Sequence, residues 1–324
     1  MRAVVCREYG TPEDLVLDEL PDPAAGPGQV VVKVRAAAVN YPDVLLIAGK
    51  YQIKVPPPFS PGSEMAGDVL AVGDGADYRP GDRVSATTFV GAFAEQAVVD
   101  ARALTPIPDG VDYADAAAFG VTNRTAYYTL RTVAPVQPGD WVVVLGAGGG
   151  VGLAAVDIAV LMGARVIAAA SGAEKLEVCR QRGATAVIDY DREDLKSRLK
   201  EITGPDGAQV VVDPVGGRYS EPALRGLGRG GRFVTLGYAA GDIPAIPLNL
   251  VLLKGITVQG MEIRTFMIDH PDEIARDDAE LRQLFADGRL RPYIGARFPL
   301  EQAAAAFRYV ADRKAIGKVV IDVG

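Results

Sequence analysis

The chain has 324 residues, 49% of them hydrophobic, and a formal net charge of −7 with no block of Lys or Arg. That length suits about two domains of ~150 residues each, and the acidic balance argues against nucleic acid or an anionic membrane as partner. No apolar run is long enough to span a bilayer. Met1-Arg2 leads into a short strand rather than a signal peptide, and two cysteines, Cys6 and Cys179, are too few for a disulfide framework. Both thiols read as core packing, and the expected location is a reducing cytoplasm.

The first third reads as β. Met1 to Arg7 is a short strand, Gly26-Pro27-Gly28 a turn, and Gln29 to Val39 a longer Val-rich strand. Met65 to Val72, Asp82 to Ala86 and Phe93 to Val99 continue the pattern, punctuated by turns such as Arg79-Pro80-Gly81-Asp82. Short strands in such number predict a compact barrel-like β domain. From Tyr113 to Arg131 the apolar spacing becomes helical, and Gln137-Pro138-Gly139-Asp140 opens a new unit.

That unit begins with the stretch on which the functional reading turns. Trp141 to Leu145 is an apolar, β-branched run suited to a strand buried on both faces. Gly146, Gly148, Gly149, Gly150 and Gly152 follow, and Val151, Ala154, Ala155, Ile158, Ala159 and Met162 then recur at helical spacing. Strand, glycine turn and helix are the context of a dinucleotide-binding fingerprint: a tight turn, close backbone approach to a pyrophosphate, and a helix N-terminus supplying N–H donors. The match is not the common GxGxxG, since Val151 occupies one glycine position, and Gly-rich loops also close ordinary βα turns.

Strands and helices alternate beyond it, predicting a doubly wound parallel sheet. Arg165 to Ala170, Ala186 to Asp189, Gln209 to Asp213, Gly231 to Gly237 and Ile256 to Met261 are the further strands, and Gly183-Ala184 ends a helix. A helix around Pro271 to Ala286, another from Leu300 to Arg313 and a last strand from Lys318 to Val323 break the alternation and are assigned back to the first domain. The expected division is therefore residues 1–120 with 265–324, a discontinuous β domain, and 121–264, the nucleotide-binding domain.

The end of the second strand of that sheet selects the cofactor. An NAD-binding unit usually places Asp or Glu there to hold the ribose 2′-hydroxyl. Here stands Ser171, followed by Gly172, Ala173, Glu174 and Lys175, so no carboxylate repels a 2′-phosphate. Ser171 can donate to that phosphate and Lys175 can reach it from the first helical turn, which favours NADPH. Ser171-x-x-Glu174 is equally a capping box that needs no ligand. Tyr190, after the third strand, either packs beside the adenosine or is a strand-end aromatic.

Several motifs together resemble the zinc-independent, zeta-crystallin-like quinone oxidoreductases of the medium-chain dehydrogenase/reductase superfamily, over essentially the full length. They are Asn40-Tyr41-Pro42-Asp43 with Gly49-x-Tyr51; Pro61-Gly62-Ser63-Glu64-Met65-Ala66-Gly67; Val121-Thr122-x-x-Thr125-Ala126-Tyr127; Gly146 to Gly152; Asp213-Pro214-Val215-Gly216-Gly217; and Gly317-Lys318-Val319-Val320. The resemblance implies an α/β architecture: a GroES-like β-barrel catalytic domain and a Rossmann doubly wound parallel-sheet domain for NADPH. It implies a homodimer by edge pairing of the strands near Ile256 to Met261, and the apolar stretch Ile246 to Leu253 fits that.

Zinc-dependent members carry a Cys on the segment of Asn40, a His before the Glu of the Gly-x-Glu motif, and a further Cys later. Here those first positions are Asn40 and Ser63, and the single histidine, His270, lies in a polar stretch. Three or four assembled ligands are what a zinc site needs, so no metal is expected. Without one, the acceptor must delocalise the incoming charge itself, as quinones and α,β-unsaturated carbonyls do. By resemblance Asn40, Asp43 and Tyr51 line the cleft near the nicotinamide, with Asn40 donating to an acceptor oxygen and Tyr51 stacking or donating. Asn40 to Asp43 is also plain turn chemistry, Asp43 can simply hold a loop, and Tyr51 can be packing.

The resemblance places Gly148, Gly149, Gly150 and Val151 against the pyrophosphate, Thr122 near the nicotinamide, and Val215 and Gly216 along its ribose. Gly237 ends the fifth strand at the ligand-binding edge, and Lys318 meets a cofactor phosphate. Two departures stand out: Ile47 where many relatives have Arg, and the stretch Met261 to Met267, which follows no family pattern. Three functions fit: a quinone reductase, an enoyl or 2-alkenal reductase on activated C=C bonds, and a non-catalytic NADPH-binding protein.

Overall fold

Pairing in the first part of the chain is organised by the Val-rich stretch Gln29–Val39, buried at eight of its 11 positions. The structure, a computed structural model, describes residues 1–324. The chain forms two units, Met1–Val121 with Arg291–Gly324, and Thr122–Leu290.

In the first unit, β1 (Arg2–Val5) pairs antiparallel with β2 (Val16–Glu19). β3 (Gln29–Val39) is followed by the short helix α1 (Tyr41–Ile47), then by β4 (Glu64–Val72), β5 (Arg83–Thr87), β6 (Gln96–Asp100) and β7 (Leu104–Pro106). β3 pairs β4 on one side and β6 along its first half, which wraps the sheet around an apolar core containing Met65, Phe93 and Phe307. Phe93 packs edge-on against Phe307 as core rather than opening a strand, so β6 starts at Gln96 and not at the expected Phe93. α2 (Tyr113–Tyr128) runs on into a π-helical turn, Thr129–Val133.

The second unit contains β8 (Trp141–Leu145), α3 (Gly150–Leu161), β9 (Arg165–Ala170), α4 (Ala173–Gln181), β10 (Ala186–Asp189), α5 (Leu195–Thr203), β11 (Ala208–Asp213), α6 (Ser220–Gly226), β12 (Leu227–Thr235), α7 (Leu248–Lys254) and β13 (Thr257–Gly260). The sheet order is β10-β9-β8-β11-β12-β13, all parallel. The order reverses between β8 and β11, so the loops leaving those two strands open side by side at the carboxyl edge, the place where open α/β sheets bind ligands. β12 stops at Thr235, which puts Gly237 two residues beyond the strand it was expected to end.

α8 (Ile263–Asp269) and α9 (Pro271–Ala286) complete this unit. The expected boundary at residue 265 is thus corrected to 291. α9 stays because its acidic face is tied to α2 and the π-turn: Thr132 Oγ1 donates to the buried Asp277 at 2.6 Å, Tyr128 Oη to Asp278 at 2.5 Å and Tyr127 Oη to Glu280 at 2.6 Å.

The chain then returns to the first unit with β14 (Ile294–Pro299), α10 (Ala303–Ala311) and β15 (Lys318–Asp322). β15 pairs antiparallel with the second half of β3, Val319 opposite Val39. Cys6 and Cys179 are buried and free, and burial pushes both thiols up, Cys179 to about 12, so neither is a nucleophile. No helix is long and apolar enough to cross a membrane.

Candidate functional site

In the second unit the glycine turn is fixed by backbone contacts. Gly146 has φ of 59°, and Gly149 N–H donates to its carbonyl at 2.9 Å. α3 presses so closely on the turn that a Cβ on Gly152 would lie 2.1 Å from the Gly146 oxygen. Gly149 caps α3, whose first N–H groups, at Gly150, Val151 and Gly152, have no acceptor within the helix and carry its positive dipole end.

Across this turn lies Lys175. A Cβ on Gly148 would sit 2.6 Å from Lys175 Cβ, so the lysine stem passes directly over Gly148. α4 begins at Ala173 with Gly172 as its cap at φ of 86°, so the capping box expected of Ser171 and Glu174 is not formed. Glycine reaches the left-handed region without penalty and moves the helix start one residue on. Ser171, partly exposed, is left as the last group of the β9 edge.

The neighbouring loop is held by Asp213. Its Oδ1 accepts the N–H groups of Val215 and Gly216, both at 2.8 Å, and its Oδ2 accepts Ser220 Oγ at 2.6 Å. Burial raises the Asp213 carboxyl, and those three donors pull it back. Val215 Cγ2 lies 2.7 Å from a Cβ built on Gly146, and Gly237 lies beside Pro214. The structure therefore brings Gly146, Gly148, Gly149, Lys175, Val215, Gly216 and Gly237 to one edge of the sheet. Tyr190 lies against Tyr219, ring centroids 4.1 Å apart and planes tilted by 30°, with the Arg218 guanidinium over Tyr219 and bonded to Asp191. Thr122 is buried on α2.

The first unit holds a buried polar cluster where β3, β4 and β15 end. Asp43, Glu64 and Lys318 are 2%, 1% and 3% exposed. Lys318 Nζ donates to Asn40 Oδ1 at 2.6 Å and to Glu64 Oε2 at 2.8 Å. Asn40 Nδ2 donates to Glu64 Oε2 at 2.8 Å and to Ser63 Oγ at 3.2 Å. The other Glu64 oxygen accepts Val121 N–H, an approach open only because Gly120 has no side chain: a Cβ there would be 2.9 Å from Glu64 Oε1. Asp43 accepts the Asn40 N–H at 2.7 Å. Burial pushes the Asp43 carboxyl up to about 7, against the pull of the Asn40 N–H, Lys318 and Ser63 and with a push from Glu64.

Two expectations change here. Lys318 does not offer its ammonium to a cofactor phosphate, because that ammonium is buried between Glu64 and Asn40. Asn40 is not placed to donate to an acceptor, because both its amide hydrogens go to Ser63 and Glu64. Tyr51 lies outside the cluster, half-buried with its ring 6.4 Å from Phe89. Ile47, in the place of the relatives' Arg, is core. Ser63, Glu64, Asp213 and Arg218 were not expected as site residues; Ser63 and Glu64 lie inside the Gly-x-Glu motif and Asp213 opens the Asp213 to Gly217 motif, whereas no local signal marks Arg218.

Residues 26–109 match the family described as alcohol dehydrogenase GroES-like domain, and residues 150–276 the family described as zinc-binding dehydrogenase. A quinone oxidoreductase-like protein 2 homolog of Nematostella vectensis is 38% identical over 99% of this chain and 88% of that protein. The crystal structure of Escherichia coli quinone oxidoreductase complexed with NADPH superposes with a TM-score of 0.91 at 29% identity, covering 100% of both chains. The Thermus thermophilus quinone oxidoreductase, also solved with NADPH, gives 0.84 at 35% identity, again over 100% of both chains.

The chain belongs to the quinone oxidoreductases of the medium-chain dehydrogenase/reductase superfamily. It carries the GroES-like and Rossmann parts of that superfamily in one α/β chain. For a quinone oxidoreductase whose second unit matches a zinc-binding family, the donor set is decisive. Around Glu64 stand an amide, a hydroxyl and the Lys318 ammonium, which already neutralises the carboxylate. No group of three His, Cys, Asp or Glu side chains is assembled to hold a metal. These residues do not fit zinc.

Proposed function

We propose that this quinone oxidoreductase reduces quinones with NADPH by metal-free hydride transfer. The observation that carries the reading is the Lys175 stem laid across Gly148, at a sheet edge whose second strand ends in Ser171 rather than a carboxylate. When bound, NADPH supplies the hydride. The α3 N-terminus and the glycine turn bind its pyrophosphate, Ser171 and Lys175 the 2′-phosphate, and Tyr190, Tyr219 and Arg218 flank the adenosine. Asp213 fixes Val215 and Gly216 for the nicotinamide ribose. Tyr51 and Phe89 offer an aromatic flank to a flat acceptor.

The test is NADPH oxidation followed in absorbance over a panel of quinones and α,β-unsaturated ketones. Turnover of quinones is the expected result; turnover of enones alone makes the protein an alkenal or enoyl reductase, and tight NADPH binding without turnover makes it a binding protein. Lys175→Ala should raise the KM for NADPH about tenfold, as loss of one hydrogen bond to a charged group implies, and leave that for NADH nearly unchanged. Equal effects on both cofactors would refute the 2′-phosphate assignment.

The same reading includes a homodimer in the cytoplasm. β13 is an edge strand, paired only to β12, with all four residues exposed. Beside it in sequence, α7 leaves Leu248 78% and Leu252 81% exposed. A bare apolar edge of this kind is a liability in a monomer, and a second copy related by a twofold axis covers it by pairing β13 with β13. Sedimentation of the wild type as a dimer and of Leu252→Asp/Val258→Asp as a monomer is expected; a wild-type monomer would refute it.

A further inference from the structure

We propose that Arg218 is a specificity-determining residue for the 2′-phosphate of NADPH, and that Asp191 holds its guanidinium until that phosphate replaces the carboxylate. The inference rests on the NADPH reading. It adds a second cation to Ser171 and Lys175, with a competitor for that cation built in beside it.

Every residue involved lies in the second unit. β9 and β10 pair in parallel with Asp189 opposite Ala170, so Tyr190 and Asp191 leave the sheet beside Ser171 and Gly172, one strand spacing, ~4.8 Å, away. Tyr190 N–H donates to the Ala170 carbonyl at 3.3 Å, which carries the pairing to the end of β9. The segment leaving β11 comes to the same place, although β8 and β9 lie between β11 and β10 in the sheet. Its backbone is held on the way: Asp213 accepts the Val215 and Gly216 N–H groups, and the Asp242 carbonyl accepts the Gly217 N–H at 2.9 Å. Tyr219 then meets Tyr190, and Arg218 reaches Asp191.

The hydrogen bonds make the Arg218 side chain the movable member of this group. One nitrogen, Nη2, donates to Asp191 Oδ1 at 2.9 Å and to the Tyr219 hydroxyl at 2.8 Å, and that hydroxyl donates to the same Asp191 oxygen at 2.8 Å. A guanidinium carries five N–H groups in a planar fork, so Nε and Nη1 are not spent on the triangle. The Arg218 side chain is 73% exposed and that of Asp191 46%. An ion pair this exposed adds little to stability. A phosphate offers the fork two oxygens and more charge in one geometry, so it displaces the carboxylate at low cost.

Asp191 has a second effect. An acidic residue at this edge is what selects the unphosphorylated cofactor in other nucleotide-binding units. Here the carboxylate stands one strand further out than usual, and Arg218 neutralises it. Without Arg218, its charge would oppose the 2′-phosphate directly.

Titration calorimetry without acceptor tests this, with NADPH, NADH, adenosine 2′-monophosphate and adenosine 5′-monophosphate as ligands. Arg218→Gln should weaken NADPH and the 2′-monophosphate about tenfold or more, as loss of a bond to a charged group implies, and leave NADH and the 5′-monophosphate nearly unchanged. Asp191→Asn keeps an oxygen for Tyr219 but drops the charge, and should tighten NADPH and the 2′-monophosphate roughly threefold. A merely structural role predicts neither pattern, because damage to the Tyr190–Tyr219 contact weakens every ligand in both variants. Equal weakening of NADPH and NADH by Arg218→Gln, or weaker binding of the 2′-monophosphate by Asp191→Asn, overturns the role of Arg218 alone. A wild type that binds NADH as tightly as NADPH overturns the NADPH reading and this role with it.

Discussion

A Gly152→Ala variant is expected to lose NADPH binding and to melt well below the wild type. Its added methyl lies 2.1 Å from the Gly146 oxygen, 2.7 Å from the Gly146 carbonyl carbon and 2.8 Å from Ala147 Cα. Ordinary C···O contact begins near ~3.3 Å. All three neighbours are backbone, so no side-chain rotation relieves the clash, and α3 must withdraw from β8. Overpacking of this kind costs about 3 kcal/mol, a fall of roughly 6–12 °C in Tm for a unit of this size. The withdrawal also carries the first N–H groups of α3 away from the place proposed for the pyrophosphate. Gly149→Ala is the control for fold: its methyl meets only the Gly146 oxygen, at 3.4 Å, so the melt should stay near wild type. Differential scanning fluorimetry with and without NADPH reads both variants. A Gly152→Ala protein with wild-type Tm and affinity would refute the account of the turn.

The largest loss of stability is expected from Lys318→Met. The substitution keeps the stem's volume and leaves the Glu64 carboxylate, 1% exposed, with only the Asn40 amide and the Val121 N–H. Removing one partner of a buried ion pair costs about 3–5 kcal/mol, because the stranded charge keeps its desolvation penalty. The double variant Lys318→Met/Glu64→Gln removes that charge and should recover much of the loss. Urea unfolding of the two singles and the double, read as a double-mutant cycle, gives the coupling directly. Strict additivity would show that Lys318 and Glu64 do not act as a pair.

How far the sequence reaches is visible in these same residues. The strand, glycine turn and helix from Trp141 to Leu161 were legible because the signal is local and each glycine has a steric reason. The strands of the parallel sheet were legible for a similar reason, as Val-rich runs between helices. Lys318 was not. It opens a strand, where a lysine reads equally as solvated or phosphate-bound, and its partners are 278 and 254 residues away. The placement of α9 failed in the same way: Asp277, Asp278 and Glu280 look like an exposed acidic face until Thr132, Tyr128 and Tyr127 are seen to meet them. At Ser171 a correct capping pattern lost to Gly172, one residue later, whose left-handed backbone starts the helix without a side-chain cap. Asn40 to Asp43 was legible as a helix start, and Asp43 does accept the Asn40 N–H. The network through Ser63, Glu64 and Lys318 exists only once β3, β4 and β15 converge.

The seating of Lys175 on Gly148 couples two properties usually treated as separate. On the proposed reading, the residue that discriminates between the phosphorylated and unphosphorylated nicotinamide cofactors is also part of the wall of the diphosphate loop, since its stem lies against Gly148. Any side chain at 148 would displace it, and any shorter residue at 175 would uncover the loop. An exchange of coenzyme preference, in evolution or in the laboratory, therefore has to proceed through correlated changes at 148, 171 and 175 rather than through a single acidic replacement at the strand end.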